Sequence, residues 1–306
     1  MRCTTVAELT KAPLPSTSPH PPRPRSREVA LVAISDLHVE ACENRRFVEQ
    51  LSPTHEHDWL IVCGDVGEIM ADIEWALSTL ARRFAKVIWA PGNHELWTYP
   101  TDPVQLRGVA RYRHLVSFCR DLGIVTPEDP YPVWSGPGGP VAVAPLFTFY
   151  DYSFGMNVAP SKRESLARAY AAGVVCSDEL VLHPDPYASR EQWCHERLKI
   201  SEERLTAMAA DGLPSVLVGH FPLLAELTRP LYHPEFAQWC GTTRTADWHT
   251  RYRAKAVVYG HLHIPRSTMH DGVRFEEVSL GYPLQRRRWS TGGVLPRRIL
   301  PHGDAT

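Results

Sequence analysis

The chain has 306 residues, 43% of them hydrophobic, and a formal net charge of −1. This length and hydrophobic content are enough to bury a sizeable core in one large domain or two small ones. The balanced charge excludes a global basic field of the kind that holds nucleic acid or an anionic membrane, and no apolar run approaches the ~20 residues that a membrane helix needs.

The cysteine pattern bears on the compartment. Seven scattered cysteines form no CxxC pair, and their number is odd. Residues 1–10 lack the continuous apolar segment of a secretory signal. We therefore expect reduced thiols in a cytoplasmic protein, with neither a membrane nor a nucleic acid as its partner.

The amino-terminal segment is rich in proline and serine, and residues 11–27 read KAPLPSTSPHPPRPRSR. A segment without an apolar period cannot bury enough surface to offset its ordering entropy. We predict a disordered leader over residues 1–27, a folded domain over residues 28–285 and a carboxy-terminal tail over residues 286–306.

Five short hydrophobic runs, each typical of a strand buried on both faces, end in polar residues. The first run is VALVAIS at residues 29–35, and it is followed by Asp36, Leu37 and His38. The other runs cover residues 59–63, 85–90, 216–218 and 256–259, and they are followed by GD, PGNHE, GH and GHLH.

Helical periodicity lies between these runs. Apolar residues recur at helical spacing over residues 68–84, 104–122 and 189–210, and Ser189 is a capping residue at the start of the third segment. Residues 141–149 and 273–280 are further predicted strands. Strands that alternate with helices indicate a layered α/β domain. The long connection of residues 99–213 is predicted to fold over the site as a pocket-shaping insert.

The polar strand ends point to one shared site, because ligands of open α/β sheets gather beyond the carboxyl ends of the strands. Carboxylates, imidazoles and amides are costly at buried positions without partners. A lone histidine would be a packing or surface residue, but five polar strand ends in succession favour a metal site. The candidate residues are Asp36, His38, Asp65, Asn93, His94, His220, His261 and His263.

The residue types fit two transition metal ions. Carboxylate and amide oxygens suit hard ions and imidazole nitrogens suit borderline ones, whereas no cysteine takes part. This mixture favours divalent or trivalent manganese and/or iron, with zinc as a further candidate, over magnesium or copper. Asp-x-His and His-x-His place both side chains on the same side of an extended segment, so both can face the ions.

The blocks DLH, GDVGE, GNHE, GH and GHLH resemble the five signature blocks of the calcineurin-like metallophosphoesterases. The resemblance implies an α/β fold in which two packed β-sheets are flanked by helices, an αββα sandwich. It also implies a phosphodiesterase whose attacking hydroxide bridges two metal ions, with His94 as the catalytic group near the scissile phosphate. Asp65 is implied to bridge the ions. The implied metal ligands are Asp36, His38, Asp65, Asn93, His220, His261 and His263.

Longer segments, which extend well outside these blocks, resemble the actinobacterial phosphopantetheinyl hydrolases, which release 4′-phosphopantetheine from acyl carrier proteins. The similar segments are residues 82–97, 149–154, 235–252, 259–267 and 271–283. The resemblance implies acyl carrier protein as the partner and substrate. Two alternatives stay open: a phosphodiesterase or phosphatase of small nucleotides, and a non-catalytic protein-binding scaffold of the same fold.

Selectivity requires contacts outside the metal site. Arg244 and Arg251 are candidates to meet the phosphate or an acidic carrier helix, and a solvated position on the surface is the alternative that stays open for both. Glu95 is a candidate either to orient a neighbouring imidazole or to act as a charge at a helix amino terminus. Several further residues are candidates to line a pocket, although the aromatic ones among them are more typical of a core. These are Tyr150, Asp151, Tyr152, Phe154, Trp248 and His249.

Overall fold

The computed structural model describes residues 28–155, 161–286 and 295–302. The predicted leader, residues 1–27, lies outside the described residues, as do short parts of the predicted insert and tail. Within the described part of the chain, no helix combines the length and the apolar character that crossing a bilayer requires.

The strands of the described residues form two sheets. The first sheet has the order β10-β1-β2-β3 and the second has the order β4-β5-β6-β7-β9-β8. In chain order the strands are β1 (Leu31–Ile34), β2 (Trp59–Val62), β3 (Lys86–Trp89), β4 (Val133–Trp134), β5 (Val141–Pro145), β6 (Ser215–Val218), β7 (Ala254–Tyr259), β8 (Arg266–His270), β9 (Val273–Glu277) and β10 (Arg297–Leu300).

Helices connect most of these strands. The α-helices are α1 (Cys42–Gln50), α2 (Met70–Ala81), α3 (Gly108–Asp121), α4 (Lys162–Ala171), α5 (Asp178–Val181), α6 (Arg190–Ala210), α7 (Trp248–Arg251) and α8 (Pro283–Arg286). Short 3₁₀ helices cover His94–Leu96, Ser153–Gly155, Ala225–Thr228, Pro234–Trp239 and Thr243–Thr245. The predicted cap of α6 is present, because the Ser189 hydroxyl accepts a hydrogen bond from the Gln192 amide at 3.2 Å.

The two sheets pack face to face, and side chains alternate between the two faces of each strand. Leu31 of β1 and Val216 of β6 point inward and share one apolar core between the sheets. Their neighbours Val32 and Leu217 point outward into the larger core that the helices cover. The predicted αββα sandwich is therefore confirmed, and its layers follow from the period-two pattern of the strands.

Parallel pairing places the polar strand ends at one edge of the molecule. Strands β1, β2 and β3 run parallel in the first sheet, and β5, β6, β7 and β9 run parallel in the second. The carboxyl ends of neighbouring parallel strands lie side by side. The loops that follow β1, β2, β3, β6 and β7 consequently lie close together at this edge, where the two sheets adjoin.

Strands β10 and β4 were not predicted, whereas β5 confirms the strand that was predicted within residues 141–149. Strand β10 lies in the segment assigned to the tail, and it pairs antiparallel with β1. Strands β4 and β5 lie in the segment assigned to the insert, and they extend the second sheet beside β6. Part of the predicted insert thus belongs to the second sheet of the sandwich. Helices α4 and α5 follow β5 in the remaining part of the insert.

Candidate metal centre

The loops that follow five strands bring the predicted carboxylates and imidazoles together. Asp36 and His38 follow β1, Asp65 follows β2, and His261 and His263 follow β7. Two groups of possible metal ligands form, and within each group the ligand atoms lie within 4.8 Å of one another. The first group is Asp36, His38, Asp65 and His263, and the second is Asp65, His220 and His261. Asp65 belongs to both groups.

The first group packs a carboxylate between two imidazoles. The Nε2 atom of His263 lies 2.9 Å from Oδ1 of Asp36. The Nε2 atoms of His38 and His263 approach to 3.2 Å, and Nε2 of His38 lies 4.0 Å from Oδ2 of Asp65. Ring nitrogens and carboxylate oxygens therefore converge on one small volume, as a shared cation requires.

The second group shows the same convergence. The Nε2 atom of His220 lies 3.3 Å from Oδ2 of Asp65 and 3.1 Å from Nδ1 of His261. Asn93 follows β3, and its amide group donates to Oδ1 of Asp178 at 2.9 Å. The buried Oδ1 atom of Asn93 has no hydrogen-bond partner among the described residues. An unpartnered buried oxygen of this kind is available to a metal ion.

Outer hydrogen bonds fix how the candidate ligands are oriented. Nδ1 of His220 lies 2.7 Å from the carbonyl oxygen of Cys63, so the ring must turn Nε2 toward Asp65. The Ser279 hydroxyl donates to Oδ2 of Asp36 at 2.7 Å. Nδ1 of His263 lies 2.6 Å from Oε1 of Gln285. Partners of this type hold the tautomer and orientation of metal-binding imidazoles.

The backbone at these positions is unusual. Five of the candidate ligands have positive φ angles, a region that side chains other than glycine rarely adopt. The φ values are 53° at Asp36, 40° at His38, 52° at Asp65, 70° at His261 and 54° at His263. Positive φ angles at non-glycine residues cluster at functional sites. At these positions they orient the side chain toward the site, which an extended backbone would not do.

Two glycines allow the loops to approach one another. Gly64 has a φ of 80°, and a Cβ atom there would lie 2.3 Å from the amide nitrogen of Gly92. A Cβ atom on Gly260 would lie 2.0 Å from the Ser35 hydroxyl oxygen and 2.3 Å from a carboxylate oxygen of Asp36. Only glycine fits at either position, because Gly64 lies against the backbone of Gly92 and Gly260 lies against the side chains of Ser35 and Asp36.

Glu95 holds two of these loops together, a role that neither sequence interpretation anticipated. Its buried carboxylate accepts hydrogen bonds from the backbone amides of Asp65 at 2.9 Å, Val66 at 3.2 Å and Gly92 at 3.1 Å. Burial, followed by the charge of Asp65, raises the pKa of Glu95 to about 7. Glu95 thus contacts the backbone of the Asp65 loop rather than an imidazole.

His94 lies at the edge of the two ligand groups. Its Nε2 atom is 3.7 Å from Oδ2 of Asp65, and its Nδ1 atom is 3.2 Å from Oε1 of Glu68. Its ring lies against Trp97 with the ring centroids 3.6 Å apart. Burial alone would lower the pKa of His94, but the charges of Asp65 and Glu68 outweigh burial, and the net shift is upward.

Electrostatics within the groups keep the carboxylates ionised. Burial alone would raise the pKa of Asp65, but the neighbouring imidazoles, His220 first, hold it well below its usual value. Burial and then the charge of His220 lower the pKa of His261 to about 3. Burial alone would lower the pKa of His220 and His263, but Asp65 raises that of His220 to about 10 and Asp36 raises that of His263 to about 9. These two imidazoles would therefore release a proton when they bind a metal ion.

Three further residues contact the candidate ligands and were not assigned from sequence. Glu68 lies in the quoted block GDVGE, so the block itself contained the signal for it. Tyr282 stacks on the ring of His38 at a centroid distance of 4.2 Å. Asp178 of α5 accepts from Asn93 and Trp97. Nothing local in the sequence marks the last two, because both contacts cross long stretches of chain.

Most of the aromatic residues considered for a pocket lie in the core instead. Tyr150 is fully buried, and the Tyr152 hydroxyl lies 2.7 Å from Glu179. Trp248 and His249 belong to α7, which directly precedes β7 and therefore lies at its amino end. The candidate metal centre lies beyond the carboxyl end of the same strand. Trp248 is buried in the outer core, and His249 pairs with Asp271 at 2.9 Å.

The donor set as a whole fits two metal ions. It supplies ionised carboxylates, imidazole nitrogens aimed at one another and a free amide oxygen, with one carboxylate common to both groups. The only contribution from a cysteine among these contacts is the backbone carbonyl of Cys63. Oxygen and nitrogen donors without sulfur suit manganese, iron or zinc.

Comparisons with known proteins show similarity over most of the chain. A family model described as calcineurin-like phosphoesterase matches residues 30–265. The chain is 54% identical over 275 residues to the acyl-carrier-protein phosphodiesterase PptH of Mycobacterium tuberculosis, covering 90% of this chain and 84% of that protein. The crystal structure of phosphopantetheinyl hydrolase (PptH) from Mycobacterium tuberculosis aligns with a TM-score of 0.87 and 51% identity, covering 92% of this chain and 99% of that chain.

Proposed function

The chain belongs to the calcineurin-like phosphoesterase family, and from this premise we propose that it removes 4′-phosphopantetheine from holo acyl carrier protein. Water is added across the phosphodiester that joins the arm to a serine of the carrier. The phosphorus–oxygen bond to the serine breaks, and the serine oxygen gains a proton. The products are the apo carrier protein and free 4′-phosphopantetheine.

The observation that supports this substrate most strongly is the extent of the similarity to the Mycobacterium tuberculosis phosphodiesterase. It covers nine-tenths of the chain, so it includes the segments that surround the metal centre as well as the blocks that form it. Metal-bound phosphoesterases share their reacting groups, and contacts to the rest of the substrate set their selectivity. Similarity outside the metal blocks is therefore the part that bears on the substrate.

The two ligand groups would hold one metal ion each. When bound, the ions supply Lewis acidity toward the phosphoryl oxygens and lower the pKa of water. Manganese and iron are the ions we propose, with zinc as a further candidate, on the basis of the donor types. The residues that would hold the first ion are Asp36, His38, Asp65 and His263, and those for the second are Asp65, Asn93, His220 and His261.

His94 is the group that we propose for proton transfer. Glu68 lies at its Nδ1 atom, which leaves Nε2 turned toward Asp65 and the ligand groups. In the protonated imidazole, with Nδ1 held by Glu68, Nε2 can give a proton to the departing serine oxygen. Trp97 packs against the ring and limits its rotation.

Mass spectrometry of the carrier protein tests this function. Holo acyl carrier protein incubated with manganese- or iron-loaded enzyme should lose the mass of the phosphopantetheinyl group. The same enzyme treated with a chelator is the control, and it should leave the carrier intact. If holo carrier protein survives while cyclic or dinucleotide substrates are hydrolysed efficiently, the nucleotide phosphodiesterase alternative replaces this proposal.

A further inference from the structure

A groove lies beside the candidate metal centre, between the loops that follow β6 and β7 and the segments around residues 174 and 285. Its volume is about 620 Å³, within the range of ~300–1,000 Å³ that small-ligand sites occupy. We call it the lateral groove and define it by six of its lining residues: Val175, Leu231, Phe236, His263, Ile264 and Gln285.

The lateral groove is continuous with the metal centre. His263 belongs to the first ligand group, and Gln285 lies 2.6 Å from its Nδ1 atom. Both residues line the groove as well. A ligand whose phosphate lies between the two ligand groups would therefore reach the groove past His263.

The chemistry of the groove excludes a strongly charged occupant. Among the residues that the structure describes, no aspartate, glutamate, lysine or arginine lines it. Its walls combine aliphatic side chains such as Val175 and Ile264 with the ring of Phe236, and the imidazoles of His233 and His263 are among its few polar groups. Apolar walls with few polar groups bind the uncharged part of a ligand. The groove thus suits a chain that carries no charge beyond its phosphate.

We propose that the lateral groove binds the pantetheine arm of the substrate, an inference that rests on the function proposed above. The arm is a flexible uncharged chain with a dimethyl-substituted carbon, two amides and a terminal thiol. Its phosphate end lies at the ligand groups, the dimethyl-substituted carbon passes His263, and the amide chain follows Ile264 and Phe236. The carrier protein stays outside the groove, on the other side of the phosphorus.

This placement explains how one metal centre could select a carrier substrate. The metal centre acts on the phosphoryl group of many esters, whereas only an ester with a long uncharged arm gains binding energy from the groove. Substitutions in the groove should therefore act on the arm-bearing substrate and leave a small chromogenic diester unaffected. No lining residue other than His263 belongs to a ligand group.

Two variants test the groove against one matched control. Val175 is 72% exposed, so Val175→Trp narrows the groove without a change to the core. Leu231→Asp places a charge on its apolar wall. The control is Val133→Trp, which makes the same substitution at an exposed valine of β4 that does not line the groove. We expect kcat/KM for holo carrier protein to fall by at least ~10-fold in both groove variants.

In the same variants, hydrolysis of bis(p-nitrophenyl) phosphate should stay within about twofold of the unmodified enzyme, because this ester has no arm. The control should keep both activities. If both groove variants change the two substrates equally, or change neither, the groove does not bind the arm. That result leaves the proposed function standing whenever the unmodified enzyme still cleaves holo carrier protein.

A second measurement is independent of the carrier protein. 4′-Phosphopantetheine, whose phosphate would compete at the metal centre, should inhibit bis(p-nitrophenyl) phosphate hydrolysis by the unmodified enzyme, and the inhibition should weaken by at least ~10-fold in Val175→Trp. Inhibition of equal strength in both proteins would overturn the inference. Inhibition that behaves as expected, together with an intact holo carrier protein, would retain the groove but refute the proposed function.

Discussion

Strained backbone is concentrated at the residues that would bind metal. A non-glycine residue held in a sparsely populated backbone region costs of order 1–3 kcal/mol. Asp36 and His261 are both in such a region, and the His261 amide donates to the carboxylate of Asp36 at about 3.1 Å. Hydrogen bonds of this kind hold the strained loops in place. The backbone conformation of these residues therefore lowers the stability of the fold, but it orients their side chains toward the metal site.

His94 and Asp65 should differ in what their loss removes. His94→Ala should keep about two metal ions per chain and slow turnover by ~10²–10⁴-fold, because it removes a proton-transfer group outside the ligand groups. Asp65→Ala should lose metal as well as activity, because Asp65 is common to both groups. Elemental analysis and diester hydrolysis measure the two effects. Loss of metal from His94→Ala would make His94 a ligand.

Strand β10 stabilises the sandwich at one edge. It pairs with β1, and its residues Ile299 and Leu300 are buried in the core between the two sheets. Arg298 of the same strand is exposed. The strand therefore covers the outer edge of β1 with hydrogen bonds and adds two apolar side chains to the inner core. The segment assigned to a tail contributes to the free energy of folding.

Ile299→Ala should destabilise the protein by about 2–5 kcal/mol, the usual cost of removing a fully buried isoleucine side chain. Arg298→Ala is the matched control on the opposite face of the strand, and it should shift stability by no more than about 0.5 kcal/mol. Urea unfolding followed by tryptophan fluorescence measures both. Equal midpoints for the two variants would mean that β10 contributes no packing to the sandwich.

The two ends of the sandwich have different roles. The candidate metal centre and the lateral groove lie beyond the carboxyl ends of the parallel strands. Helix α7 lies at the amino end of β7, and a six-residue strand is roughly 20 Å long. Arg251 of α7 pairs there with Glu202 of α6. Arg251 is thus distant from the metal centre, which contradicts the interpretation that it meets the phosphate.

Arg251→Ala should consequently leave kcat/KM for holo carrier protein within about twofold of the unmodified enzyme, because an exposed charge at that distance is screened by salt. The activity toward a small diester should also be unchanged. A loss confined to the carrier protein would place the carrier's docking surface at the amino end of the strands. Steady-state kinetics at physiological ionic strength, with both substrates, decide between these outcomes.

Local patterns in the sequence determined the position of the site and the class of its chemistry. Hydrophobic runs that end in Asp36, Asp65 and His261 identify parallel strands and the polar residues at their carboxyl ends, because both signals lie within a few neighbouring residues. The two-sheet fold followed from the same blocks through their family resemblance. The assignment of each ligand to an ion stays a prediction.

Only the tertiary structure decided the contacts that join distant parts of the chain. Asp178 meets Asn93 across 85 residues of sequence, and Ser279 meets Asp36 across 243. The lateral groove likewise combines residues near 175, 231 and 264. Periodicity reports which face of an element is apolar, but it contains no information on which distant element covers that face. The packing of the whole chain determines these partners. Each element packs where its shape and polarity match the surface that the other elements leave uncovered.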